Sequence, residues 1–385
     1  MKRKIPLFPV TTVGSWPRTL ELLKLQKLKR MGKITPEEFN EVADKEVLEI
    51  LKLQEEAGVD IVTDGEQRRD NFFSFVAEKI SGLKMMTLAE MFDVVEDKAG
   101  FEQILQTLDV PAYSISNPCC VGKVKRQSPL AVSDLKFLKT HTDKPIKITL
   151  PGPYLLTRSM WVPELAKGFY DSKEELAKDV VGILREEVEE LIAEGVDFIQ
   201  FDEPVLTEVA FAQGNTRTFM CAALAAKKDP EEELEFAVSL INNVLQGFEG
   251  PIFGLHICRG NWSQNESILL SGDYHPLAKY LNQLNVDQLV LEYATERAGD
   301  VVAFKNKSLG LGVVNPRKEI LEDPQEIHQS VQNALKHFKP ENIFINPDCG
   351  FATFSNSPVN SREIAKKKLQ IMVNVAKELR IEHSK

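Results

Sequence analysis

Three residues raise the question of chemistry first. In "LHICRGN", His256 and Cys258 stand two residues apart at the end of an apolar run, and Cys349 closes another in "NPDCG". A spacing of two on an extended chain sends both side chains to the same side. Glu292, in "LVLEY", ends a third such run. An imidazole, two thiolates and a carboxylate suit tetrahedral Zn²⁺. The intervals between them are too long for a zinc finger, which favours a catalytic over a structural ion. A donor set rich in thiolate is a poor generator of hydroxide but is suited to holding an external thiol as thiolate near pH 7. The chemistry expected is attack of sulfur on an alkyl carbon, not hydrolysis.

A second set has a different character. Glu66 in "VTDGEQRRD" and Asp202 in "FIQFDEP" are carboxylates at the ends of apolar runs, and "VGS" brings the small Gly14 next to Ser15. Two carboxylates can hold the ammonium of an amino-acid substrate. Backbone N–H groups beside Gly14 and the Ser15 hydroxyl can bind its carboxylate. Read singly, Asp202 and Glu203 could form no more than a strand-end turn, and Glu66 could pair with Arg68 or Arg69.

These residues gain meaning from the elements that carry them. Eight short β-rich runs recur: Phe8–Gly14, Val59–Glu66, Pro145–Gly152, Val196–Pro204, Pro251–Cys258, Asp287–Tyr293, Ser308–Val314 and Asn342–Gly350. Amphipathic helical stretches alternate with them. Thr35–Gly58 and Ser172–Gly195 begin with capping residues and close on glycine, Asp229–Phe248 and Asp323–Phe338 begin Asp-Pro, and a last helix covers residues 360–378. Near-continuous apolar strands alternating with helices predict an α/β fold with a parallel sheet covered on both faces. Eight units predict a single eight-stranded parallel β/α (TIM-type) barrel over residues 1–385 rather than a doubly wound open sheet, and no Gly-x-Gly-x-x-Gly follows a strand. An insertion after the second strand, about residues 72–144, is expected to fold as helix, hairpin-like excursion and helix over the barrel mouth. In such a barrel the carboxyl ends of all strands share one face, so the residues above become neighbours.

Composition narrows the partners. The 385 residues are 43% hydrophobic, enough for a large core, and carry a formal net charge of −10, which disfavours nucleic acid and anionic membranes. No apolar run has the length of a membrane span, and no apolar segment follows the basic start "MKRK", so a cytoplasmic protein is expected. Five cysteines in a chain of this size do not make a disulfide framework. Cys119 and Cys120, in the insertion, are read as ordinary residues.

The stretches "TTVGSWPRT", "DGEQRRDNFF", "FIQFDEPVL", "LHICRGN", "LVLEYATERAGD" and "NPDCGFAT" resemble, in order and from Thr11 to Thr353, the catalytic domain of the cobalamin-independent methionine synthase family, most closely its short single-barrel branch. The resemblance implies that His256, Cys258, Glu292 and Cys349 ligate zinc. It also implies that Ser15, Glu66 and Asp202 hold the amino and carboxylate groups of homocysteine, which accepts a methyl group to give methionine. The chain departs from the long members of the family in two places. Where they stack folate on a Trp, this sequence has Ser159, with Trp161 two residues on. Where they carry a general-acid His after the seventh strand, it reads "VVNPRKE", and His328 and His337 fall in the following helix. N5 of a methyl-folate leaves poorly unless protonated. The expected donor is therefore a methylated corrinoid, as methylcobalamin or on a partner protein, ahead of methyl-tetrahydrofolate. The alternative keeps the zinc and changes the thiol to coenzyme M with an epoxide. Its sulfonate would need a cationic pocket, for which Arg18, Arg158 and Arg259 are candidates.

Overall fold

The computed structural model describes residues 5–96, 98–99, 101–102, 116–211, 229–261, 263–355 and 358–383. Cys221 and residues 103–115 of the expected excursion lie outside the described residues. Six parallel strands form one continuous sheet in sequence order: β3 (Lys147–Pro151), β4 (Phe198–Asp202), β5 (Ile252–Ile257), β6 (Gln288–Glu292), β7 (Ser308–Val314) and β8 (Ile343–Pro347). Every one of these strands except at its ends is buried on both faces, as helix-covered parallel strands must be.

The two remaining staves close the ring. Thr11 N–H donates to Ile345 O at 3.0 Å, Ile61 N–H to Val10 O at 3.2 Å and Val62 N–H to Pro145 O at 3.0 Å. Parallel bridges accordingly link residue 10 to β8, 11 to 61, and 62 to 146. These staves are shorter than the sequence predicts. Pro9 has no N–H to give, Phe8 turns the chain with φ of 47°, and the Gln54 side chain takes the place of a neighbouring strand. Its amide donates to Thr63 O (2.8 Å) and accepts from Thr63 N–H (3.1 Å).

The helices follow their expected caps. Pro36–Ala57 opens with a reciprocal capping box between Thr35 and Glu38 and stops at Gly58, whose φ is 89°. Ser172, Asp229, Asp323 and Ser361 each accept at the start of Lys173–Ala193, Pro230–Leu245, Pro324–Ala334 and Arg362–Glu382. At the amino-terminal end of the barrel, Ile61, Phe198 and Phe344 pack together.

The insertion departs from expectation. Its first segment is a short 3₁₀ turn, Ser74–Glu78, followed by strand β1 (Ile80–Thr87), not the expected helix. β1 pairs antiparallel with β2 (Ser116–Arg126), and the helix Leu88–Val94 follows β1. Gly82, at φ of 80° beside a register shift, lets the two strands close where a Cβ would sit 2.4 Å from Lys123 O. The expected second helix is present at Val132–Lys139. Cys119 is buried in the satellite cluster under the hairpin, where burial pushes its thiol up to about 12.

Candidate functional site: a His-Cys-Cys centre beside paired carboxylates

Each candidate residue sits at a strand end because the parallel ladder stops there. Asp202, the last residue of β4, pairs in register with His256 of β5, so the two side chains emerge side by side inside the barrel. The ends of β5 and β6 are tied by Tyr274, whose hydroxyl donates to Ile257 O (2.7 Å) and accepts from Glu292 N–H (3.1 Å). Thr207 donates to Cys258 O at 2.6 Å and fixes the turn after β5.

The ligand atoms of His256, Cys258 and Cys349 all lie within 4.8 Å of one another, and all three residues are buried. His256 Nδ1 faces Val290 O at 3.1 Å, which makes Nδ1 a donor and leaves Nε2, buried and without a hydrogen-bond partner, as the atom that could meet a metal. Burial alone would lower the pKa of this imidazole. Contact with Cys258 and the charges of Cys258, Asp202 and Glu292 outweigh it and lift the group to about 9. The Cys349 thiol beside it, and then burial, push Cys258 well above its ordinary range. These are the directions of a soft donor set that gives up protons when a metal binds.

Glu292 stands next to this group but outside the 4.8 Å set. One of its oxygens accepts from Arg259 N–H (2.9 Å) and Arg259 Nη1 (3.2 Å). The other accepts from Asn261 Nδ2 and from Arg297 Nη2 (3.2 Å). Burial alone would raise this carboxyl, but the Arg297 and Arg259 cations hold it below the usual range.

One pocket of about 410 Å³, counting its mouth, holds both sets. Val13, Gly14, Ser15, Glu66 and Asp202 line it together with His256, Cys258 and Cys349. Glu66 is held in an unusual backbone conformation, φ of 54°, directly after Gly65 at φ of 65°. Its Oε1 accepts from the Thr149 hydroxyl at 2.9 Å, and its Oε2 is buried without a partner. Gly14 makes this placement possible, since a Cβ there would lie 2.4 Å from Oε1. Asp202 Oδ1 accepts from Gln200 Nε2 at 2.9 Å. Burial, partly offset by His256 and reinforced by Glu66, pushes Asp202 up to about 7. Gly350 lets Ser15 close over the eighth strand, because a Cβ there would sit 2.1 Å from Ser15 Oγ.

The structure also sorts residues that the sequence left ambiguous. Glu203 is buried away from the pocket and caps the helix Pro153–Met160, accepting from Tyr154 N–H (2.8 Å) and Leu155 N–H (3.0 Å). Arg68 pairs with Asp44 and Asp134, not with Glu66. Arg18 donates to the carbonyls of Trp16, Ala352, Glu66 and Arg69, and Arg158 to the Tyr154 hydroxyl. Neither these two nor Arg259 lines the pocket. Ser159 turns its hydroxyl back to Leu155 O. Asn261, Thr353 and Phe72 line the pocket without having been singled out, although Asn261 stands three residues after Cys258 in the quoted motif.

Comparison with known proteins places the geometry in a family. The chain is 30% identical to a methionine synthase of Sulfurisphaera tokodaii over 98% of its own length and 94% of the relative's, and 28% identical to that of Pyrococcus furiosus over 99% and 96%. Among solved structures it is similar to a B12-independent methionine synthase from Shewanella sp. W3-18-1 in complex with selenomethionine, at TM-score 0.72 and 24% identity over 98% of both chains. It also resembles a putative vitamin-B12 independent methionine synthase from Listeria monocytogenes, at TM-score 0.68 and 22% identity over 98% of this chain and 99% of that one. Residues 8–378 match the family described as cobalamin-independent synthase, catalytic domain, and the chain belongs to that family.

Proposed function

We propose that the protein is a zinc-dependent S-methyltransferase that methylates homocysteine to methionine, acting as a single unit over its whole length in the cytoplasm. The observation that carries this reading is the meeting of two unlike sets in one pocket, a His-Cys-Cys group and a pair of carboxylates with Ser15. His256, Cys258 and Cys349 would hold the metal, with Glu292 as the fourth ligand on exchanging part of its pairing with Asn261 and the arginines. Zinc bound there would supply a site that keeps a thiol sulfur as thiolate at neutral pH.

The chain's own residues do the remaining work. Glu66 and Asp202 hold the ammonium of homocysteine, and Ser15 with the backbone beside Gly14 holds its carboxylate. Anchoring both ends of the amino acid directs the thiol toward the His-Cys-Cys group. The sulfur then attacks the methyl carbon in line, forming the new S–C bond as the donor's bond to that carbon breaks. Binding acceptor and donor in one pocket turns the encounter of two solutes into a step within a complex.

The donor we propose is a methylated corrinoid, whose cobalt leaves without needing a proton. The end of β7 supports this. Asn315 N–H donates to Glu322 Oε1, Asn315 Oδ1 accepts from Arg317 N–H, and Arg317 Nε donates to Asn261 Oδ1, so an amide and a guanidinium engaged with their neighbours stand where the long members carry the acid. A second reading, methyl-tetrahydrofolate, is favoured by the family's description as cobalamin-independent. Coenzyme M is disfavoured, since the pocket presents carboxylates and none of the three candidate arginines. The test is methionine formation from homocysteine by zinc-loaded protein, with methylcobalamin and methyl-tetrahydrofolate supplied separately. Turnover with methylcobalamin alone supports the proposal. Turnover with the folate alone replaces the donor, and no methionine from either rejects homocysteine methylation with these donors.

A further inference from the structure

The two carboxylates of the pocket rest on a tier of donors one layer deeper in the barrel. Thr149 of β3 and Gln200 of β4 are partners in register, and both are buried. The Thr149 hydroxyl lies 2.9 Å from Glu66 Oε1, and Gln200 Nε2 lies 2.9 Å from Asp202 Oδ1. Gln200 Nε2 is itself anchored on Val13 O at 3.1 Å.

The direction of the Thr149 hydrogen bond is fixed by its other neighbour. Arg69 Nη1 donates to both Thr149 O (3.0 Å) and Thr149 Oγ1 (3.1 Å). A guanidinium has no acceptor, so the hydroxyl accepts from Arg69 and must spend its single proton on Glu66. Arg69 is held in turn by the face of Phe75, 4.4 Å away, and by its burial beneath the pocket. Glu66 Oε1 is thereby committed as an acceptor, and Oε2, buried without a partner, is the oxygen left for the pocket. Gly14 leaves room for this pair, since a Cβ there would also approach Thr149 Cγ2 to 3.1 Å.

We propose that Thr149, oriented by Arg69, and Gln200 are positioning residues that aim the Glu66 and Asp202 carboxylates at the α-ammonium of the acceptor, and so select an amino acid over a plain thiol acid. The inference rests on the function proposed above. It assigns the selectivity to residues that do not themselves touch the substrate.

The test compares two thiols that differ only in the ammonium, homocysteine and 4-sulfanylbutanoate. Each is titrated calorimetrically into zinc-loaded wild type, Thr149→Val, Thr149→Ser and Gln200→Met. Losing one hydrogen bond to a charged group predicts about tenfold weaker homocysteine binding by Thr149→Val, with 4-sulfanylbutanoate unchanged. Thr149→Ser, which keeps the hydroxyl, is expected within about twofold of wild type. Gln200→Met is expected to show the same selective loss and stands independently should the valine variant misfold. Equal weakening of both thiols, or unchanged homocysteine affinity in both Thr149→Val and Gln200→Met, overturns the positioning role. If wild type binds 4-sulfanylbutanoate as tightly as homocysteine, the amino-acid reading of the site fails, and this inference with it.

Discussion

Replacing Gly14 by alanine is the sharpest single test of the amino-acid half of the pocket. A Cβ at this position would lie 2.4 Å from Glu66 Oε1. A comfortable carbon–oxygen contact is about 3.3 Å, so the carboxylate must retreat by roughly 0.9 Å. It cannot do so by a backbone adjustment at ordinary cost, because Glu66 is already held at φ of 54°. Retreat stretches the 2.9 Å bond from the Thr149 hydroxyl beyond hydrogen-bond range. The bond lost is the one removed in Thr149→Val, so the expected effect is likewise about tenfold weaker binding of the acceptor's ammonium. His256, Cys258 and Cys349 stand at or just beyond the ends of β5 and β8, so zinc loading there should be kept. Homocysteine affinity by calorimetry and zinc content by elemental analysis read the two effects apart. Unchanged homocysteine affinity in Gly14→Ala would refute the argument that this glycine exists to admit the Glu66 carboxylate, and loss of zinc would show that the two halves of the pocket are not separable.

Four further outcomes are expected. Cys349→Ala should lose zinc and methyl transfer while keeping the far-ultraviolet circular dichroism of the wild type; full zinc content with normal turnover would remove this residue from the centre. Asp202→Asn should raise the homocysteine concentration needed for half-maximal rate without releasing zinc, and an unchanged dependence would reject its ammonium role. Glu203→Ala strands two buried N–H groups at the start of Pro153–Met160 and should cost about 2–4 kcal/mol in urea unfolding, with zinc retained. Lys147 is buried in the barrel with its ammonium donating to Thr12 O, and burial lowers its pKa to about 7. Between pH 7 and 10 the unfolded chain keeps a proton that the folded chain has lost, so this group makes stability rise with pH there. Lys147→Met should flatten that rise, by up to about 3–5 kcal/mol across the window, and parallel urea curves for the two proteins would reject the shift.

What could be read from the sequence followed from how local each signal is. A strand buried on both faces writes itself as a continuous apolar run, so β3 to β8 and their polar carboxyl ends were visible. Capped helices such as Pro36–Ala57 were equally plain. The short helix Pro153–Met160 was not, because it spans little more than two turns and all of its residues are buried, polar ones included. The expected helix over "FFSFVAEKISGL" is instead a 3₁₀ turn running into β1, whose "ISGLKMMT" has neither clean alternation nor a long apolar run to mark it as a strand. The His-Cys-Cys group was legible because sulfur and imidazole at strand ends are rare and chemically specific. The partners that tune it were not. Glu203 capping a helix some 50 residues earlier, Arg69 reaching Thr149, and Asn261 and Arg297 gripping Glu292 are contacts that exist only once the barrel has closed.

The uneven hydrogen bonding of the barrel wall has a consequence for how such a protein can change over evolutionary time. His256 and Asp202 stand on strands of one continuous ladder, and Cys258 and Cys349 follow two strands of that ladder, whereas Ser15 and Glu66 follow the two staves that join the ring through single bridges. On the roles proposed above, substitutions in the loosely laced sector would change how Ser15 and Glu66 meet the acceptor while the spacing of His256, Cys258 and Cys349 is kept.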